Sequence, residues 1–82
     1  MQTIKVNVKI PSPLFMKFMV DGVCVAHVGP EWHNAGRYAG RINQTGGAAC
    51  NNKTFADAVE FIGDALCSLF ASLGLNVEFI NA

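Results

Sequence analysis

The sharpest pattern in the chain lies between Thr54 and Gly74. Phe55, Val59, Ile62, Leu66, Leu69, Phe70 and Leu73 recur at helical spacing and form one apolar stripe. Thr54 stands where an N-cap hydroxyl accepts from the first turn. Asp57 follows three residues later, as in a capping box with Asp in place of the usual Glu or Gln. Gly74 suits the left-handed position that closes a helix, with Leu75 placed to fold back on Phe70. A stripe of this kind needs another layer to cover it, and the rest of the chain reads as strands.

Ile4, Val6, Val8 and Ile10 alternate with Thr3, Lys5, Asn7 and Lys9, which predicts a strand with one buried and one wet face. Pro11 and Pro13 are expected to end it. A second strand runs from Leu14 to Val20 and a third from Val23 to Val28. Asp21-Gly22 between them predicts a two-residue type I′ hairpin. In the simple hairpin register Val20 faces Val23, Phe18 faces Val25 and Met16 faces His27. On the other face Met19 meets Cys24, Lys17 meets Ala26 and Phe15 meets Val28. Both faces are largely apolar, so one is expected to cover the helix and the other to meet another subunit. Gly29-Pro30 breaks the pattern, and Pro30 suits the start of a single turn through Glu31, Trp32 and His33. A weaker strand spans 37–44, with Tyr38, Gly40 and Ile42 on one face and Arg37, Ala39, Arg41 and Asn43 on the other. Thr45 to Lys53 reads as a loop, and Asn76 to Ile80 as a last strand. The predicted architecture is one α+β domain over residues 1–82. It is a small antiparallel-rich sheet of about five strands, in β-β-β-β-α-β order, with one amphipathic helix packed on one face.

Composition changes this picture in two ways. The 82 residues are 51% hydrophobic and only 15% charged, and a domain of this size buries only about 60% of its unfolded surface. So much apolar surface predicts a homo-oligomer or a protein partner. No run approaches the roughly 20 apolar residues of a membrane helix, so no membrane partner is expected. Met1-Gln2-Thr3 leads into a strand pattern with no apolar targeting core. Cys24, Cys50 and Cys67, odd in number and without paired spacing, fit a reducing cytoplasm. The net charge is zero, but residues 1–53 carry six bases against two acids and residues 54–82 carry four acids and no base. A molecule divided this way can steer a partner.

The candidate chemistry is sparse. Gly47 to Thr54 departs by one residue from the phosphate-loop pattern GxxxxGK[ST], with Asn52 at the second glycine. The chain is too short for the parallel sheet such a loop serves, and no apolar strand ends in a magnesium aspartate. A polar loop capped by Thr54 is the simpler reading, with an anion held by exposed amides beside Lys53 as its weaker functional form. Trp32, His33, Arg37, Tyr38 and Arg41 place aromatic faces near guanidinium groups, a combination suited to nucleotides. Arg37 and Arg41 share a strand face about 13 Å apart. Read plainly, the aromatic residues plug a small core while the arginines stay in water. Cys24 and His27, three apart on a strand, point to opposite faces, and nothing has zinc spacing. No GxSxG turn is present. On the helix, Asp57, Glu60, Phe61 and Asp64 lie away from the apolar stripe, an aromatic among unpaired acids, as interface anchors often are. The plain reading is a solvated face whose early acids complement the helix dipole.

A compact α+β domain without a catalytic motif, bearing an acidic helix face, resembles the small phage-encoded inhibitors of bacterial defence known as anti-CRISPR proteins. The resemblance is one of architecture across the whole chain. It implies a protein that binds and blocks a larger host complex, and an address in the host cytoplasm. The sequence therefore predicts a non-enzymatic protein-interaction module acting through Asp57, Glu60, Phe61 and Asp64, with no catalytic residue, metal or cofactor. The alternatives are an anion or nucleotide binder using Trp32, His33, Arg37, Arg41 and Lys53, and a structural subunit of an assembly. Six bases matched by six acids argue against general nucleic-acid binding.

Overall fold

A computed structural model describes residues 2–30, 37–42, 49–52 and 54–81, with the backbone alone described for 49–52. The elements are β1 (Gln2–Ser12), β2 (Phe15–Val20), β3 (Val23–Pro30), β4 (Tyr38–Ile42), β5 (Ala49–Asn52), α1 (Phe55–Ser72) and β6 (Leu75–Asn81). The strands form one sheet in the order β5-β4-β3-β2-β1-β6. Every pairing is antiparallel except β1 with β6, which is parallel. This is the expected α+β class, with a single helix on a mixed, mainly antiparallel sheet.

The sixth strand is β5, which falls inside the segment expected to be a loop. Ala-Cys-Asn-Asn lacks the β-branched and aromatic residues that favour strands. Pairing to β4 from Arg41↔Ala49 to Tyr38↔Asn52 supplies what local preference does not. That pairing also removes the phosphate-loop reading, because Ala49–Asn52 is extended sheet edge and the Thr54 hydroxyl is engaged as a helix cap. From β5 at one edge, α1 crosses the inner face of the sheet and delivers the chain to β6 at the opposite edge. A parallel β1–β6 pair requires a long crossover of this kind.

β3 continues through Gly29 to Pro30, where a strand end at Val28 was expected. β1 likewise runs through Pro11 to Ser12. Its described pairing with β6 ends at Val8↔Asn81, before Pro11 is reached. Leu14, expected in the second strand, instead sits in the turn before it with φ 64°. The β2–β3 turn has φ 50° at Asp21 and φ 80° at Gly22, the paired positive values of a type I′ turn. Next to it Val20↔Val23 and Met19↔Cys24 pair as expected. The register then slips, so that Phe18 faces Ala26, Lys17 faces His27 and Met16 faces Val28. Val25 is the extra residue of a β-bulge, and both Val25 and Ala26 are buried. The bulge corrects the expected Phe18–Val25, Met16–His27, Lys17–Ala26 and Phe15–Val28 pairs. It also turns Cys24 and His27 to the same face, where opposite faces were expected.

The core lies between α1 and the inner sheet face. Val8, Phe18, Ala26 and Ile42 form a buried row across four strands, with Val6, Val28, Ala58, Ile62 and Leu66 packed around it. Thr54 Oγ1 accepts from the Asp57 N–H at 3.1 Å, and Gly74 closes the helix with φ 78°. Of the expected stripe, Leu69 and Leu73 are exposed. The last helical turn stands at the sheet margin, immediately before edge strand β6, and finds little to cover it. Gly40 earns its place in β4 by packing. A β-carbon there would overlap Ile62 and come within 3.0 Å of Val28 Cγ2. The glycine lets the helix sit close to the sheet.

Farther along, α1 stands off from β1 and β2. A cleft of about 210 Å³ opens there, lined by Val8, Met16, Phe18, Val59, Gly63 and Phe79. A β-carbon on Gly63 would meet nothing nearer than Phe79 Cζ at 4.0 Å. Gly63→Ala is therefore expected to raise stability by roughly 0.5–1 kcal/mol, the usual gain for removing a helix-interior glycine. Urea unfolding checks it, and an unchanged or lower midpoint would contradict the open space beside Gly63.

Candidate functional site

Two surfaces carry the chemistry-bearing residues, and they face in opposite directions. On the outer face of α1, Asp57, Glu60, Phe61 and Asp64 are all exposed, as expected, with Phe61 at 44%. Asp57, Phe61 and Asp64 occupy successive turns of one helix face. Cys67 is also exposed on α1.

The other surface is the open face of the sheet. Lys9 pairs with Lys17, Lys17 with His27, and His27 with Arg41. Side chains directly opposite in neighbouring strands point the same way. These four therefore form one row across β1, β2, β3 and β4. The buried row Val8–Phe18–Ala26–Ile42 occupies adjacent positions in the same strands, which confirms that the basic row faces away from the helix. Among the described residues, no carboxylate pairs with Lys9, Lys17 or Arg41. Lys5 lies on the same face, opposite Glu78 of β6, and exposed Arg37 lies just ahead of β4.

Phe15 sits beside this row. Its ring fills the space a β-carbon would take on Gly29, with Cδ2 at 2.7 Å from that position. The ring lies nearly parallel to the His27 imidazole, at 10° and 6.3 Å between centroids. Lys17 Nζ stands 6.0 Å from the Phe15 centroid, within cation–π reach. Part of the apolar outer surface of the hairpin is thus used within the chain, because Phe15 covers the Gly29 backbone.

Of the residues expected to bind an anion, the structure places Arg41 in the row and Arg37 just ahead of β4, four residues away. Trp32, His33 and Lys53 lie outside the described residues. Tyr38 faces the helix, edge-on to Phe55 at 5.8 Å, and belongs to the core. Sequence reasoning did not assign Lys9, Lys17, His27 or Phe15 to a site. The lysines were legible as the wet positions of alternating strands, but their alignment with His27 depends on the bulge at Val25.

Much of the uneven charge along the chain becomes a division between faces. Lys5, Lys9, Lys17 and Arg41 lie on the open sheet face with Glu78 opposite Lys5 at its β6 edge, while Asp57, Glu60 and Asp64 lie on the helix across the core. The balance of six bases and six acids describes the whole chain and hides this separation. Among the described residues no helix is long and apolar enough to cross a membrane. Comparisons with protein-family models, curated proteins and solved structures returned no match.

Proposed function

We propose that this protein is a non-enzymatic binding module that holds an anionic ligand on the open face of its sheet. The observation that carries the reading is the Lys9–Lys17–His27–Arg41 row. Lys9 and Lys17, set directly opposite one another, repel and oppose folding. The chain also sets its helix acids on the far side, where they cannot relieve that repulsion. A bound anion offsets the repulsion and uses several cations at once.

Thermal melting with inorganic polyphosphate, sulfate and nucleotides tests the proposal. A ligand that binds the native state raises the melting point, by about 2.7 kcal/mol of stability at a hundredfold excess over Kd. The combined variant Lys17→Gln and Arg41→Gln is expected to lose the shift, whereas Asp64→Lys keeps it. If none of these anions moves the transition, the open face is not an anion site.

The exposed Phe61 favours a second reading. An aromatic at 44% exposure, flanked by Asp57, Glu60 and Asp64, suits an anchor for a basic patch on another protein. On this reading the chain is an interaction module of the inhibitor kind, blocking a larger host complex. Capture of a protein partner would then fall with Phe61→Ala plus Asp64→Lys and persist with Lys17→Gln plus Arg41→Gln. The reverse pattern excludes the helix face.

A further inference from the structure

Resting on the anion reading of the open face, we infer that its ligand is a single-stranded nucleic acid. The sugar-phosphate backbone follows the Lys9–Lys17–His27–Arg41 row, and a base stacks against Phe15.

Three features select this ligand among anions. The first is length. Four neighbouring strands set the row about 14 Å from end to end, at the ordinary strand spacing. That is longer than one phosphate group and suits a chain of them. The second is the aromatic content. The Phe15 and His27 rings lie nearly parallel on the same face, with Lys17 beside them. A run of phosphates alone makes no use of such rings, whereas bases stack on them irrespective of sequence. The third is shape. A duplex is read by a helix or ribbon that enters a groove. Here the only helix among the described residues lies behind the sheet and carries acids outward. An open sheet face instead accepts bases splayed from a single strand. The apolar cleft lies on the inner face, between α1 and the sheet, and is no part of this surface.

The test is fluorescence anisotropy with labelled oligothymidine and oligouridine of about 15 nucleotides, a length within the range single-strand sites cover. The two oligomers separate DNA from RNA. Three to four phosphate contacts predict a log–log salt dependence with a slope of about −2 to −3. Lys17→Gln is expected to make that slope shallower by about 0.7. Phe15→Leu keeps an apolar cover over Gly29 but removes the aromatic face. It is expected to weaken binding roughly fivefold or more with the salt slope unchanged. Circular dichroism of each variant confirms that the fold persists, and Lys9→Gln provides a variant away from the Phe15–Gly29 contact.

Failure of both oligomers to bind at low salt overturns the inference. So does a Phe15→Leu variant that binds as the parent does, or a mononucleotide that competes as well as the oligomer. If polyphosphate binds and the oligomers bind no better, the anion reading stands and the nucleic-acid inference falls. If neither binds, both fall.

Discussion

Ile62→Ala is expected to destabilise the protein by about 2–5 kcal/mol, the range for removing a fully buried aliphatic side chain. Ile62 is 0% exposed at the centre of α1, and it meets the sheet at Gly40. A domain of this length is stable by only about 4–12 kcal/mol, so one substitution removes a large share of the total. The contact also makes a sharper claim. Gly40→Ala places a β-carbon against Ile62 and Val28, and overpacking of this kind costs about 1–3 kcal/mol. Shortening Ile62 frees that space. The double variant should therefore be less destabilised than the sum of the two singles, with a coupling of about 0.5–3 kcal/mol. Urea unfolding of the parent, both single variants and the double variant measures it. Additive costs would mean that the helix does not sit on Gly40.

Phe18→Ala is expected to cost about 3–5 kcal/mol. Phe18 is 2% exposed, between Val8 and Ala26 in the buried row. Its ring meets Phe79 edge-on at 5.9 Å, and it already borders the cleft beneath α1. Truncation enlarges a space that the surrounding groups have not filled, so little relaxation is available to limit the loss. Phe18 points away from the basic row. The folded fraction of the variant should bind anions with unchanged affinity, which separates core damage from site damage. A loss below about 1 kcal/mol would contradict the core position assigned to Phe18.

Several parts of the fold were legible because their causes are local. The cap at Thr54, the turn at Asp21-Gly22 and the close at Gly74 each depend on what one residue can do with its own backbone. The alternation in β1 is equally local, since one face of that strand is apolar and the other carries lysine. The acidic face of α1 followed from helical spacing alone, and Phe61 is exposed there as the spacing implied. Other positions failed for identifiable reasons. Gly40 reads as a weakness in a strand until a helix is known to approach it. Leu69 and Leu73 carry the stripe beyond the place where sheet remains to cover them. Ala49–Asn52 is a strand because β4 offers an edge, and its own residues carry no such preference.

The candidate site divides along the same line. The sequence alone determined that the first half of the chain is basic, that the helix is acidic, and that lysines alternate with apolar residues in the early strands. It determined nothing about which bases become neighbours. Lys9, Lys17, His27 and Arg41 belong to four different strands, and their alignment is a matter of register. A one-residue slip in a strand carries every side chain to the opposite face. The bulge at Val25 makes such a slip within β3, placing His27 opposite Lys17 while keeping Val25, Ala26 and Val28 in the core. Only the tertiary structure could decide this, because the choice rests on how α1, β2 and β4 together bury one face of β3. The segment's own alternation equally permits the register without the bulge.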